Sequence, residues 1–559
     1  MRKQGVTTSV QAPAPTPGAA PGKGGRGLRE ILGGLAGVLA AAVALGVAEL
    51  AAGVVGRASS PVIAVGDAAI TLTPEPVKHF AITTFGENDK IALVSGTLVV
   101  IAVYAVLLGL LGLRSRRLGV LGIALFGLIG AFAALTRPEG GPLDALSSLG
   151  GAAAGAVALL ALLAPLTGAA PAATTVDGGR PGDAVIDRSR QVDGSRDRKG
   201  AGLDRRGFFV ASGVALGSAA LTGGGGRLLQ RRFDVAEARA GLELPAPASP
   251  AAALPVGADL AGTVAGVTPL VTRNRDFYRV DTAITVPQVR PADYRLSLTG
   301  MFDSPRTWTL ADLYGRDDLI ERDITLTCVS NEVGGTLAGS ARWLGVPLGT
   351  FLRENGVRSG SSQLVCRSVD GMTIGAPTRS ALDVEDAMLA LGMNGEPLPV
   401  EHGFPVRMII PGLYGYVSAC KWLTRIEATT YAAFDAYWVQ RQWAAQAPIK
   451  IASRIDTPAP LRSFPAGRRP VAGVAWAQTR GIARVEVRVD DGEWSEADLA
   501  PEADADLWRQ WVLPYDFARG RHTVTVRATS ADGERQTDAR AAPFPAGASG
   551  WHSIQVTAA

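Results

Sequence analysis

The chain has 559 residues, about three to four times the length of a typical domain, so a single compact core is excluded and several modules are required. With 47% apolar and only 19% charged residues it is too apolar for an ordinary water-soluble enzyme of this size, while its second half is rich in Arg and Asp. A net charge of +4 without a Lys/Arg block interleaved with aromatics argues against a nucleic-acid partner.

Residues 1–27 read as a disordered N-terminal tail and residues 28–170 as a four-helix transmembrane region. Four apolar stretches, residues 31–55, 91–113, 118–135 and 146–166, are long enough to span a bilayer, because about 20 residues cross a ~30 Å hydrocarbon core. Arg2, Lys3, Lys23, Arg26 and Arg29 before the first, and Arg114, Arg116 and Arg117 between the second and third, place the N-terminus inside. The loops 56–90 and 137–142 then fall outside, and a polar linker over 171–206 inside. Glu49 is the one ionisable side chain well within an apolar run, near enough to its outer end to reach the interface or Arg57. The only histidine of this half, His79, lies in a loop, which excludes a bis-histidine haem among the spans. A shorter fifth segment, within residues 207–225, follows Leu203-Asp-Arg-Arg-Gly-Phe-Phe209, which looks like a twin-arginine export signal.

Residues 226–267 include an Ala/Pro-rich run and read as an extended spacer. An α+β domain is expected over residues 268–447. Ile324, Leu326 and Cys328 alternate with Thr325 and Thr327 as a strand that ends at the turn Ser330-Asn331. Residues 389–395 read as a strand entering an Asn-Gly hairpin, and residues 406–410 as a buried strand stopped by Pro411-Gly412. Asp383 predicts a helix cap over residues 384–389, or a strand that begins there. Over residues 448–559, alternating valines (Val485, Val487, Val489; Val524, Val526) before Asp491-Gly492 and Asp532-Gly533 turns suggest an immunoglobulin-like β-sandwich.

Three cysteines, Cys328, Cys366 and Cys420, are too few for a disulfide scaffold and lack zinc-site spacing. Cys328 ends a strand, where a thiolate makes a soft metal ligand, and this leaves Cys366 and Cys420 to pair or lie buried. Glu401-His-Gly-Phe-Pro-Val-Arg407 runs through a strand into Pro411-Gly-Leu-Tyr-Gly-Tyr416 and Lys421-Trp422. Glycines that bare backbone N–H groups, beside His402, Arg407 and Lys421, compose an anion cradle suited to a phosphate.

In this order the motifs resemble the sulfite oxidase family of molybdopterin-dependent oxidoreductases, over roughly residues 274–559, and the membrane half suggests a membrane-anchored bacterial type. The resemblance adds Ser340-Ala-Arg-Trp343 and Met393-Asn-Gly-Glu-Pro-Leu-Pro399. It implies that Cys328 ligates molybdenum and that Arg279 is an active-site arginine. It further implies that Asn274, Phe277, Tyr278, Ser330, Asn331, His402, Arg407, Gly412, Gly415, Ser418 and Lys421 contact the Mo-molybdopterin cofactor. Sulfite oxidases carry arginines shortly after the ligand Cys and a tyrosine in the pocket; here Glu332 and Val333, and Thr373 or Ile374, occupy those places, which puts sulfite in doubt and leaves a sulfoxide or another small oxyanion open.

The chain is thus expected to be multi-domain: all-α transmembrane helices, an α+β sulfite-oxidase-like domain and a sandwich resembling the family's dimerisation domain, with a homodimer as the consequence. The implied activity is two-electron oxygen-atom transfer on a small-molecule substrate, by a catalytic domain outside the cell membrane. Without ligands for haem or an iron-sulfur cluster in this chain, electrons require a separate electron-transfer protein or a quinone-linked partner. An exported binding protein that kept the fold without catalysis is the alternative.

Overall fold

The computed structural model describes residues 23–56, 59–73, 77, 89–137, 141–167 and 204–559. The N-terminal tail through residue 22, Arg57, His79 and linker residues 171–203 lie outside the described residues. The described chain divides into two units, residues 1–72 with 77–232, and residues 73–76 with 233–559.

Continuous apolar runs with no water-facing stripe form helices that must bury or be solvated by lipid. In the first unit these are α1 (Lys23–Val55), α2 (Pro61–Leu72), α3 (Asp89–Arg114), α4 (Arg116–Leu135), α5 (Ala145–Thr167) and α6 (Arg205–Gln230). Among the described residues, five spans are long and apolar enough to cross a membrane: Gly27–Val55, Ala92–Arg114, Arg116–Leu135, Pro142–Thr167 and Arg205–Ala240. The fifth is therefore longer than its apolar stretch suggested. α2 lies within the stretch expected to be a loop; its 12 residues are too few to register as a span.

Small residues let these helices touch backbone to backbone. A methyl group on Gly37 of α1 would fall 1.9 Å from the Ala105 carbonyl of α3, and one on Gly226 of α6 would fall 2.5 Å from the Glu49 carbonyl of α1. Glu49 faces neighbouring chain: its carboxylate accepts from Ser60 Oγ and, at 2.8 Å, from Gln230 Nε2 of α6. To the expected place near the outer end of the span the structure thus adds two partners, Ser60 and Gln230, that no local pattern announces.

In the second unit two sheets build the α+β part. One has the order β2–β1–β10–β5–β6, from β1 (Arg295–Gly300), β2 (Thr307–Thr309), β5 (Gln363–Ser368), β6 (Thr373–Pro377) and β10 (Leu423–Thr429). β1 and β10 run parallel. The other has the order β3–β4–β7–β8, from β3 (Ile320–Thr327), β4 (Ala338–Pro347), β7 (Met388–Met393) and β8 (Glu396–Pro397), with β9 (Arg407–Ile409) also paired to β7. The strands foreseen at 324–328, 389–395 and 406–410 are β3, β7 and β9. Asn394 and Gly395, both at positive φ, make the β7–β8 turn. Asp383 ends the helix Thr378–Asp383 and does not cap one that follows. Val384 is extended there, and the chain is already bound for β7.

Cys366 and Cys420 are free and buried, so the pairing alternative is closed for both. Cys366 Sγ lies 3.5 Å from Met408 Sδ within an apolar core.

The remaining strands form two sheets facing a shared core that includes Val471, Val485, Trp511, Val524 and Ile554. This part does not stand apart from the first. Trp508 Nε1 donates to Leu270 O at 2.8 Å, and the Trp508 amide donates to Thr325 Oγ1 on β3. Nor is residues 226–267 a free spacer: Val235 is fully buried, Arg239 donates to Leu398 O, and Glu321 N donates to Ser249 O. Its prolines suppress helix and strand, yet they leave leucines and carbonyls that dock on the sheets.

Candidate active site

β3 is buried on both faces along its last five residues and delivers Cys328 to its end. The Cys328 amide donates to Leu337 O at 2.9 Å, and Asn331 Oδ1 accepts from Leu337 N at 2.9 Å, so the loop from 328 to 337 is pinned at its base. The C-terminal sheets brace the same loop: Arg454 Nη1 donates to Gly335 O, and the His552 ring sits where a Cβ on Gly334 would be, 2.2 Å away. Only glycine fits at residue 334, which also has φ +81°.

Burial pushes the Cys328 thiol up, opposed by the amide and hydroxyl of Ser330 and by the positive charge of Lys421. Those opposing contacts are what a metal-bound thiolate needs, since they stabilise the negative sulfur. Two phenols lie within electrostatic reach of it. Burial raises Tyr278 far above its ordinary value, with Cys328 adding to the rise, and holds Tyr414 at about 12. Both are therefore protonated donors at neutral pH. Phe277 stacks on Tyr278 at 5.3 Å and meets the His402 ring edge-on at 5.4 Å.

The cradle is built around Gly403, whose φ of +113° brings the chain so close that a Cβ would lie 3.1 Å from Lys421 Cα and 3.0 Å from Arg407 Cβ. His402, Arg407 and Lys421 thereby converge. His402 Nε2 lies 3.0 Å from Asn274 O, and burial, aided by Arg407, lowers its pKa to about 4. The imidazole is neutral at pH 7.

Arg407 is 5% exposed, donates to His402 O, and lies 5.2 Å from the Trp343 ring. Its Nε is buried without a hydrogen-bond partner, and no carboxylate pairs with it among the described residues. Burial lowers it to about 10. Lys421, lowered by burial to about 8, pairs with Asp281 at 2.7 Å. A buried guanidinium with no counter-ion is costly unless an anion joins it, so the donor set fits a phosphate-bearing pterin, with Cys328 as the soft ligand for its metal.

The other residues expected to contact the cofactor are placed as follows. The Asn274 side chain serves the β7–β8 hairpin, donating to Met393 O and Glu396 Oε1 and accepting from Asn394 Nδ2. Asn331 closes the Cys328 loop, and Ser418 Oγ donates to Leu413 O and Tyr414 O. Gly412, at φ +78°, and Gly415 bracket Tyr414 in the turn that follows β9. Arg279 is partly exposed and pairs with Asp281 at 2.8 Å. Glu332 is exposed, Ile374 packs in the apolar core, and Thr373 Oγ1 accepts from Tyr437 N. Asp281 and Tyr414 escaped the sequence reading. Tyr414 had a signal in its place between Gly412 and Gly415; Asp281 had only its place two residues after Arg279.

Comparison with known proteins agrees with this chemistry. The family model described as "Oxidoreductase molybdopterin binding domain" matches residues 283–438. Mitochondrial sulfite oxidase of Mus musculus is 30% identical over 308 residues, covering 47% of this chain and 56% of that protein. Sulfite oxidase of Gallus gallus is 28% identical over 292 residues, covering 44% of this chain and 63% of that protein. Residues 283–438 thus match a molybdopterin-binding oxidoreductase domain, and just under half of the chain is similar to sulfite oxidases. Nitrate reductase [NADH] of Solanum lycopersicum is 27% identical, covering 40% of this chain and 31% of that protein. Among solved structures, sulfane dehydrogenase SoxCD from Paracoccus pantotrophus gives a TM-score of 0.46 at 22% identity, covering 51% of this chain and 81% of that one. The chain spans 56% and 63% of the first two relatives. The family match begins after Phe277-Tyr-Arg279, so the contacts of that stretch rest on the geometry above.

Proposed function

We propose that this protein is a membrane-tethered, extracytoplasmic molybdenum-pterin oxidoreductase that performs two-electron oxygen-atom transfer on a small substrate, a sulfite-like oxyanion or a sulfoxide. The observation that carries the reading is the buried Arg407 without a counter-ion among the described residues, converging with Lys421 and His402 while Cys328 is presented from a strand end. Arg407 and Lys421 would hold the pterin phosphate, and Cys328 Sγ would ligate molybdenum. When bound, that group supplies the two-electron redox centre.

The chain's own groups bind and orient. The Ser330 amide and hydroxyl stabilise the thiolate, and burial keeps the Tyr278 and Tyr414 phenols protonated. Neutral His402 places no charge beside the pterin. Electrons would pass singly to a separate electron-transfer protein or quinone-linked partner when an oxyanion is oxidised, and singly from it when a sulfoxide is reduced. The C-terminal sheets are read as an immunoglobulin-like sandwich that supports a homodimer.

Cys328→Ser is expected to abolish turnover with an artificial one-electron acceptor while most pterin stays bound, because phosphate and ring contacts are separate from the sulfur. Full turnover by the variant would remove Cys328 from the chemistry and the proposal with it.

A further inference from the structure

Asp281 carries a carboxylate with only 5% of its side chain exposed. Its Oδ2 lies 2.8 Å from Arg279 Nε and 2.7 Å from Lys421 Nζ, and its Oδ1 lies 3.3 Å from Arg279 Nη2. Three residues before it, Tyr278 comes within electrostatic reach of Cys328. The forked pair thus reaches Arg279, the cation that sequence reading leaves for an anionic substrate, in a site where Glu332 and Val333 supply no other positive charge. We propose that Asp281 is a specificity-determining residue: by holding Arg279 in a forked ion pair it disfavours dianionic substrates and favours neutral oxygen-atom donors such as sulfoxides. This rests on the proposed function and narrows its substrate class.

The physical argument is competition. A dianion that needs the Arg279 guanidinium must displace a preformed, largely buried carboxylate or accept its repulsion, whereas a neutral oxo group meets neither cost. Charge-assisted hydrogen bonds are the strong ones, so losing their exclusive use weighs most on the charged substrate. Asp281 is a positioning residue: it acts through Arg279, and no reacting atom is assigned to it.

Asp281→Asn keeps the shape and removes the charge. Sulfate, a non-reacting dianion, serves as the binding probe by calorimetry on the full-length protein. The variant is expected to bind sulfate about tenfold more tightly than the parent, and Arg279→Ala added to it should erase the gain. In turnover, KM for sulfite should fall while kcat changes little, and KM for a neutral sulfoxide should stay put. Equal sulfate affinity in parent and Asp281→Asn, or a gain that survives Arg279→Ala, overturns the proposal. Loss of molybdenum from Asp281→Asn also overturns it, by showing that the carboxylate serves Lys421 and cofactor retention. Failure of the proposed function reads differently: the parent itself would carry no molybdenum, whatever its sulfate affinity.

Discussion

Asp506 shows how far a side chain's chemistry is set by neighbours remote in sequence. It is 6% exposed, and burial pushes its carboxyl up to about 7, opposed by the Thr479 amide and reinforced by Asp504 and Asp386. The three carboxylates lie within 4.8 Å of one another. An unfolded Asp titrates near ~3.9, so the folded state favours the proton. The stability this contributes is complete below the unfolded value and is lost as pH rises through about 7. Asp506→Asn removes the titration while keeping an acceptor for Thr479. In chelator-containing buffer it should raise the thermal midpoint at pH 8, by an amount on the order of 2 kcal/mol of stability, and the difference should shrink toward pH 4. A variant less stable than the parent at pH 8 contradicts this account.

The same contrast separates what was legible in the site from what was not. Cys328, Arg407 and Lys421 stood out in the sequence because strand periodicity, a strand-to-turn boundary and glycine-flanked cations are local signals, and the structure brings His402, Arg407 and Lys421 together around Gly403. Asp281 could not, because its partner Lys421 is 140 residues away. The polar side chains of Asn274 and Ser418 also serve a hairpin and a turn, structural roles that the sequence alone does not separate from cofactor contacts.

At the scale of elements, hydropathy marked five spans because span length is a strong constraint, and it missed α2 because a short apolar helix carries no such signal. The packing of α6 was equally invisible: Gly46 and Gly53 of α1 and Gly226 of α6 form a seam between the two helices that only neighbouring backbones explain. α6 begins at Arg205-Arg206 behind Asp204, whose Oδ1 accepts from Gly207 N at 2.9 Å. If this pair directs twin-arginine export, Lys-Lys in its place should leave the earlier spans inserted and hold the catalytic unit inside. Protease added to intact spheroplasts should then digest that unit in the parent and spare it in the variant. Equal digestion in both would reject the route.

Across the whole molecule, composition separated an apolar half from a soluble one, and the observed units divide near residue 232. The finer partition of the soluble half was less legible. A Pro/Ala-rich stretch reads as a spacer from composition alone, yet Val235 and Ser249 are fixed to the sheets. The C-terminal sheets could pass for an appended module, yet His552 and Arg454 hold the loop that carries Cys328. A site that takes its ligand from one strand end and its brace from another domain is specified by tertiary contact.

The central claim is that these residues assemble a molybdenum-pterin site, and metal and pterin content tests it most directly. Full-length protein purified from its own molybdate-replete host should carry about one molybdenum and one pterin per chain, and Arg407→Ala should lose at least about nine-tenths of both, because it removes a buried cation that no carboxylate pairs with among the described residues. Folded parent protein free of molybdenum, or an Arg407→Ala variant with full content, would contradict the account.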